Sequence, residues 1–421
     1  METLSNPPAT DAPIRRPSPW SVFRSASFRK LWAALTLSLV GDLFNYIAMA
    51  WLVLQITRSP LTLGVVLTVQ AVPRSLLMLV GGAIADRLTP RVSLAGSMAL
   101  RFLCVAPLAI LVLGGEVQLW EVYVVAALFG AFDAFFYPSA ASLLPRVVAS
   151  EMLEPANAVR NITQMASIVV FPGLAGLLVA AVGTGWAFAV DAFALALGTA
   201  VVLWIPAIAP AARAAGPERQ RGGGLLAEIG AGLKYAWADP VIRFALLMIA
   251  AVDFAANGAV NVGLPTLAHN RFSAGATGLG VMLGAWGVGA AVGAAVAGLR
   301  KRPDRMGLLI IGSCAWIGAG LAIVGLLPAL IPAAITLAVA GISTGLINTY
   351  GMSWLQRRTN PEMQGRVMAL VMLASVGLVP ISLAASGAIA QANPTILFLI
   401  AGAVILLASA VAASNRTVRQ L

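Results

Sequence analysis

The sequence predicts an all-α membrane protein with twelve transmembrane helices in two pseudo-symmetric six-helix bundles. Three observations predict it: the composition, the length of the apolar runs and an internal repeat. Of 421 residues, 60% are hydrophobic and only 10% are charged, with a mean hydropathy of +0.90. Soluble domains carry about 25% charged residues. A chain this poor in charge is expected in a bilayer.

Apolar runs recur along the whole chain at the length that a membrane helix needs. About 20 apolar residues cross the hydrocarbon core as a helix, and a helix satisfies its own backbone hydrogen bonds in lipid. The predicted spans cover residues 32–54, 62–85, 92–113, 119–142, 159–182, 185–206, 241–267, 276–299, 306–327, 329–352, 365–391 and 394–413.

The two halves of the chain repeat one another. Asp42 in the first predicted span matches Asp253 in the seventh (253 − 42 = 211), and Gly82 matches Gly293 at the same offset. Further matches are Tyr137 with Tyr350, and the equal spacings from Asn157 to Pro172 and from Gly365 to Pro380. Two six-span units in parallel relation are a known architecture of secondary transporters.

The repeat and the polar interruptions divide the chain. We expect a disordered cytoplasmic tail over 1–30, a six-helix bundle over 31–206, and a second bundle over 241–413 with a short cytoplasmic tail over 414–421. The linker over 207–240 is flexible by composition in its first part. Apolar residues at helical spacing over 225–237 predict an amphipathic helix on the inner membrane surface.

The net charge of +11 is a topology signal. With a cytoplasmic N-terminus, most Lys and Arg residues fall in loops on the cytoplasmic side, and only Arg58 and Arg271 fall in loops on the other side. This is the positive-inside bias of membrane proteins. It predicts a multi-pass protein of the cell (inner) membrane with both termini cytoplasmic. The positive charge therefore does not indicate nucleic-acid binding.

The sequence argues against an enzyme. GISTG (341–345) fits a hydrolase pattern that requires a strand-turn-helix context, yet it lies inside the tenth predicted span, and His269 is the only histidine. No Gly-rich loop for ATP is present. Cys104 and Cys314 both lie in spans, as packing residues would. We therefore expect no cofactor and no metal, and a proton gradient as the driving force.

The segment GGAIADRLTPRVSL (81–94) resembles the signature loop of the major facilitator superfamily. Gly82, Asp86, Arg87 and Arg91 match that pattern, which implies, together with Arg366, a conformational latch between the halves. A carboxylate facing a helix N-terminus and arginines can hold one state and open in the other. In the second half Ala297 stands where Asp86 would map, so the latch is expected to be asymmetric.

Three stretches look like the drug-efflux branch of that superfamily, which includes macrolide and siderophore exporters: FRKLWAALTLSLVGD (28–42), YPSAASLLPRVV…ANAVRN (137–161) and LQRRTNPEMQGRVMAL (355–370). FPGLAG (171–176) is similar in part to an antiporter motif, with Phe171 in place of a glycine. The resemblance implies a monomer with alternating access that exports amphipathic or lipophilic organic compounds by proton antiport.

Acids within the spans are candidates for proton coupling, because a charged Asp at a helix centre costs roughly 2.5–3.5 kcal/mol. Asp42 shares a helix face with Asn45, Tyr46 and Met49, which predicts a polar stripe lining a cavity. The alternative is a structural acid held by a backbone group or by Arg74, which is itself a candidate cavity residue.

Asp133 is the second candidate in the first half. Phe132, Phe136 and Tyr137 surround it in sequence, and aromatic faces beside an acid suit a lipophilic cation. The alternative is a structural ion pair between Asp133 and Arg101. Asp191, near the outer end of the sixth predicted span, is expected to be structural.

Asp253 is the candidate of the second half, on a face with Asn257 and Asn261 as further cavity residues. The predicted partners of the chain are a small organic substrate, protons and membrane lipids. Two other functions stay open on the sequence. One is a lysophospholipid translocase of the same fold, and the other is a membrane sensor that transports nothing.

Overall fold

Twelve helices in the computed structural model are long and apolar enough to cross a membrane, which confirms the predicted number within the described residues. The structure describes residues 19–85, 89–206, 225–300, 303, 305–415 and 419. The spans are Ala26–Thr57, Pro60–Met78 (in a helix that continues to Ala85), Pro90–Gly114, Leu119–Val147, Ser150–Val182, Thr184–Leu203, Pro240–Asn270, Gly275–Leu299, Met306–Leu326, Leu330–Arg358, Glu362–Ala392 and Pro394–Ser414.

The packing of the spans repeats between the halves, as the sequence predicts. In the first half the sixth span packs on the first and third, and the fourth packs on the second. In the second half the twelfth packs on the seventh and ninth, and the tenth packs on the eighth. The fold is therefore two six-helix bundles with the same internal arrangement.

The halves meet through two pairs of spans: the second packs on the eleventh, and the fifth packs on the eighth. The internal repeat relates one pair to the other. We call the face where the first span begins and the twelfth ends the terminal side, and the opposite face the far side. Both contacts lie toward the far side. Gly64 touches Gly387, and Gly280 lies against the backbone of Pro172, with no room for a Cβ at either contact. Small residues allow such close helix approach.

Two spans are broken in their middle at positions that proline explains. The fourth consists of helices Leu119–Asp133 and Phe136–Val147, with Pro138 near the start of the second. The eleventh consists of Pro361–Val376 and Val379–Ala392, with Pro380 in the equivalent place. A proline has no N–H for the carbonyl four residues earlier. The eleventh span is thus broken at Pro380, whereas the fifth span runs through Pro172 as one helix, Leu153–Val182.

The seventh and tenth spans each contain one π-helical turn, Ala259–Gly263 and Ile347–Gly351. The turn in the tenth span lies at the position that matches the break of the fourth, since Ala134 plus the offset of 213 between Tyr137 and Tyr350 is Ile347. Both halves therefore interrupt regular α-geometry at the same depth of the fourth helix of the repeat. Such turns are frequent at functional sites.

The predicted disordered tail over 1–30 is wrong for residues 19–30. Pro19–Arg24 forms a 3₁₀ helix and the first span already begins at Ala26. Val22 is buried, and the ring of Phe23 meets Trp32 edge-on at 5.1 Å. Aromatic packing holds this segment against the bundle. Residues 1–18 lie outside the described part of the chain.

The predicted helix over 225–237 is present as Leu225–Ala238. It packs against the eleventh span: Gly232 contacts Arg366, and the Tyr235 hydroxyl accepts a 3.3 Å hydrogen bond from the Asn360 N–H. Residues 207–224 lie outside the described part, and contact of this helix with the membrane surface stays a prediction.

Candidate functional site

A buried arginine organises the centre of the first bundle. Arg101 in the third span is fully buried, and its guanidinium donates to Asp133 at 3.1 Å, to Ser38 at 3.4 Å and, at close range, to Asp42. The predicted Arg101–Asp133 ion pair is confirmed. Arg101 also forms an ion pair with Asp42. The sequence instead suggests Arg74 as the arginine that would pair with Asp42.

Arg74 belongs to the same cluster through Asp133. Its Nε lies 3.2 Å from the second carboxylate oxygen of Asp133, so Asp133 bridges the two arginines. The side chain of Arg74 is 41% exposed, whereas that of Arg101 is 0% exposed. The cluster thus has one arginine in the protein interior and one at its edge.

A third acid lies behind the cluster. Asp191 in the sixth span is fully buried and accepts a 2.7 Å hydrogen bond from the Asn45 side chain. Gly41 makes this approach possible, because a Cβ there would collide with the Asp191 carboxylate. With Asp42, Asp133 and Asp191 against Arg74 and Arg101, the cluster holds more acids than arginines among the described residues. Charge balance in a low-dielectric interior therefore favours one bound proton.

The aromatic residues around Asp133 face the protein's own cation. The Arg101 guanidinium carbon lies 4.6 Å from the ring centre of Phe129 and 5.4 Å from that of Phe136. Tyr137 lies similarly under Arg74, at 5.7 Å. These rings stabilise arginine through cation–π contacts. The aromatic faces that the sequence suggests for a ligand cation therefore contact the protein's own arginines.

A cavity of about 240 Å³ adjoins the cluster on the terminal side of the first bundle. The first, fourth and fifth spans line it, and Asp42, Phe136 and Tyr137 are the predicted site residues on its wall. Arg160 and Gln164 add polar groups from the fifth span. Asp42 is therefore the acid that connects the buried cluster with the cavity.

The other predicted cavity residues of the first bundle lie elsewhere. Met49 is 2% exposed and part of the apolar core, and Asn45 is buried against Asp191. Tyr46 packs against the core, with its hydroxyl buried and without a hydrogen-bond partner among the described residues. Phe132 uses its carbonyl to accept from Ser97. The sequence places Asn45, Tyr46 and Met49 on one face of the first span, but several neighbouring spans cover that face.

The second bundle has its own cavity of about 270 Å³, also toward the terminal side. Asp253 lies on its wall, where the Ser375 hydroxyl is its hydrogen-bonding neighbour. Asp253 forms no ion pair with any described residue. The matched acids of the repeat thus have different surroundings: Asp42 is paired with arginine and Asp253 is not.

Asn257 and Asn261 do not line this cavity. Each side chain donates a 2.8 Å hydrogen bond to the backbone carbonyl four residues earlier, Asp253 and Asn257 respectively. The two amides are therefore satisfied within their own span, with Asn257 just before the π-turn Ala259–Gly263 and Asn261 inside it. Trp286, Cys314 and Asn348 line the cavity from other spans, although the sequence predicts none of them as a cavity residue and assigns Cys314 to packing.

The predicted latch is only partly within the described structure. Asp86 and Arg87 lie outside it, and Gly82 lies in the helix of the second span. Arg91 donates to the carbonyls of Val202 and Leu203 at the end of the sixth span, and Arg366 approaches Met363 at 3.4 Å. The latch therefore stays a prediction.

Comparison with known proteins agrees with this architecture. Residues 17–421 match the family described as transmembrane secretion effector. The enterobactin exporter EntS of Escherichia coli O1:K1 / APEC is 27% identical over 351 residues, which are 82% of this chain and 80% of the exporter.

Solved structures share the fold at low identity. The crystal structure of the nucleoside transporter NupG superimposes with a TM-score of 0.68 at 13% identity, over 91% of this chain and 98% of that chain. That of a bacterial homologue of the iron transporter ferroportin in the inward-facing state superimposes with a TM-score of 0.64 at 16% identity, over 92% and 98%. With the family match over nearly its whole length, the chain belongs to the transmembrane secretion effector family of major facilitator transporters.

Proposed function

We propose that the chain is an exporter of the inner membrane that moves amphipathic organic compounds outward in exchange for protons. The observation that carries this proposal is the position of Asp42. Its side chain is 30% exposed toward the first-half cavity and is paired with the fully buried Arg101, whereas the Asp133 side chain is 9% exposed. Of the three acids in the cluster, Asp42 is the one that can exchange a proton with the cavity.

The charge distribution supports the orientation. Described Lys and Arg residues cluster at the terminal side, for example Arg146, Arg243 and Arg358, while Arg58 and Arg271 lie at the far side. The positive-inside bias then makes the terminal side cytoplasmic. Because the halves are packed on the far side and both cavities lie on the terminal side, this conformation is open to the cytoplasm.

An exchange cycle follows from these positions. In the cytoplasm-facing state Asp42 gives up its proton to the cytoplasm and pairs with Arg101 as the cavities take up a compound. When the halves rock and expose the site to the other side, a proton on Asp42 releases its ion pair with Arg101 and favours the return. Inward movement of one proton supplies about 2.3 kcal/mol per 100 mV of membrane potential. The exporter EntS supports the outward direction.

The test is proton release from purified protein in detergent on addition of compounds from three classes. These are a catechol siderophore such as enterobactin, a macrolide, and the lipophilic cation tetraphenylphosphonium. We expect at least one to release protons at pH 7, and Asp42→Asn to abolish the release. Glu116→Gln, an exposed acid in a far-side loop, is the matched control and should release protons normally. Unchanged release by Asp42→Asn would reject the assignment of the proton to Asp42.

The two alternatives have their own readouts. A lysophospholipid translocase would scramble lysophosphatidylethanolamine in vesicles and release no protons with any of the compounds. A sensor would do neither. In both cases the exporter proposal fails.

A further inference from the structure

The second-half cavity has one charged group in an apolar setting. Its walls come from the seventh, ninth, tenth and neighbouring spans, and Asp253 is the one charged side chain among the described residues that line it. The remaining polar lining consists of small neutral groups such as Thr344, Asn348 and Ser375. A site with this composition takes an apolar molecule and offers it a single negative charge.

The comparison of the two bundles shows what this acid lacks. In the first bundle the third span supplies Arg101 to Asp42. In the second bundle the ninth span places Cys314 beside Asp253 instead. Asp253 is half-buried in a largely apolar cavity, where a carboxylate is less well hydrated than in bulk water. Since no described side chain supplies a cation, a proton or a cation from outside would stabilise it.

Aromatic side chains surround the same space. Trp286 and Trp354 line the cavity from two different spans, and a third lining ring, that of Phe244, lies under the Arg243 guanidinium at 5.8 Å. In the first bundle the aromatic rings of Phe129 and Phe136 instead contact the guanidinium of Arg101. In the second bundle no described guanidinium lines the cavity or lies over the rings of Trp286 and Trp354. Aromatic residues and one carboxylate are the usual elements of a site for organic ammonium groups.

We propose that the second-half cavity is the binding site for the cationic end of the exported compound. The substrate class is monovalent organic amines and quaternary or phosphonium cations that carry an aromatic or aliphatic body. This rests on the proposed export function and narrows its substrate. The cavity of about 270 Å³ is near the lower end of small-molecule sites, about 300–1,000 Å³, so the cation and part of the apolar body fill it.

The lining separates this class from phospholipids that also carry an ammonium group. A lysophosphatidylethanolamine brings a phosphate within a few bonds of its amine. Phosphate binding uses Arg, Lys or helix N-termini, and no Lys or Arg is among the described residues that line this cavity. A cation without an attached phosphate is therefore the better ligand.

The experiment measures binding of two probes of nearly the same shape and opposite charge, tetraphenylphosphonium and tetraphenylborate, to purified full-length protein in nanodiscs. Equilibrium dialysis gives the Kd of each. We expect the wild type to bind the cation about tenfold or more tightly than the anion, and Asp253→Asn to weaken cation binding by a similar factor. Asp253→Asn should leave anion binding equal or stronger, because a repulsive charge is removed.

Two further variants separate charge from folding. Asp253→Glu keeps the charge and should bind tetraphenylphosphonium within about threefold of the wild type. Asp239→Asn is the control: Asp239, at the start of the same span, pairs with Arg358 and does not line the cavity. This variant should bind tetraphenylphosphonium with the affinity of the wild type. Equal affinity of the wild type for both probes, or equal loss in Asp253→Asn and Asp253→Glu, would overturn the proposal.

Failure of this inference is distinguishable from failure of the export function. If tetraphenylphosphonium binding does not depend on Asp253 but enterobactin or a macrolide releases protons, the chain is an exporter with another substrate class. If cation binding depends on Asp253 and no compound releases protons, the site stands without proton coupling. Lysophosphatidylethanolamine added as a competitor should displace the phosphonium poorly; strong displacement that Asp253→Asn abolishes would assign the site to lipid.

Discussion

Asn45 in the first span donates a 2.7 Å hydrogen bond to Asp191 in the sixth, and both side chains are buried. The bond joins two helices on the side of the cluster away from the cavity. It gives Asp191 a structural role, as the sequence predicts, and gives Asn45 a partner that the sequence does not show. One carboxylate oxygen of Asp191 has no hydrogen-bond partner among the described residues, so the Asn45 amide is the contact that supports this acid.

Asn45→Leu should destabilise the fold. It removes the donor and leaves the Asp191 carboxyl group without a described partner, and an unsatisfied buried polar group costs about 1–3 kcal/mol. Unfolding in SDS titrations should begin at a lower detergent fraction than for the wild type. In the double variant Asn45→Leu, Asp191→Leu both polar groups are gone, and much of the loss should be recovered. A double variant less stable than Asn45→Leu would show that Asp191 has another essential partner.

Arg101→Leu should be among the most damaging substitutions in the first bundle. Asp133 would keep Arg74, but Asp42 would lose the one arginine that pairs with it among the described residues. Removing one member of a buried ion pair costs about 3–5 kcal/mol. Low yield of folded monodisperse protein is the expected readout. Adding Asp42→Asn should restore part of that yield, because the uncompensated acid is then removed.

Arg74→Gln should behave differently although Arg74 is part of the same cluster. Its side chain is 41% exposed and Asp133 retains Arg101. An exposed ion pair contributes about 0–1 kcal/mol, so the SDS unfolding midpoint should stay close to that of the wild type. A loss of stability as large as that of Arg101→Leu would contradict the assignment of the two arginines to the edge and the centre.

The sequence predicts the fold in detail because its signals are local. Span length and loop charge can be read from one segment at a time, and the match of Asp42 with Asp253 can be read by comparing the two copies of the repeat. The Arg101–Asp133 pair is also predictable, since few bases lie within the spans. The partner of Asp42 is not, because helix periodicity defines a face and not the neighbour that covers it.

The errors about cavity residues have the same origin. Asn45 and Met49 share a face with Asp42, but the fifth and sixth spans pack against the first. Only the part of the face at Asp42 reaches the cavity. The break after Asp133 could be read from Pro138 in the sequence, whereas the π-turns of the seventh and tenth spans have no proline within them.

Gly64 offers a test of the conformational cycle. It lies against Gly387 where the second and eleventh spans cross, and a Cβ at Gly64 would collide with backbone atoms of Leu383 and Gly387. Nearby, the Ser75 hydroxyl donates at 3.5 Å to the Val376 carbonyl that Pro380 leaves free, and Thr68 donates at 3.2 Å to the Pro380 carbonyl. This crossing holds the two halves together on the far side.

Gly64→Leu should therefore shift the protein toward the state that is open on the far side. Spin labels at Glu116→Cys and Ser273→Cys, in exposed far-side loops of the two halves, report this opening in pulsed electron resonance distance measurements. We expect a longer distance to gain population in Gly64→Leu, because the side chain cannot fit into the closed crossing. Gly96→Leu, where a Cβ meets nothing within 4 Å, is the matched glycine control and should leave the distances unchanged. If Gly64→Leu remains folded with the distances of the wild type, the second and eleventh spans are not the contact that closes the far side.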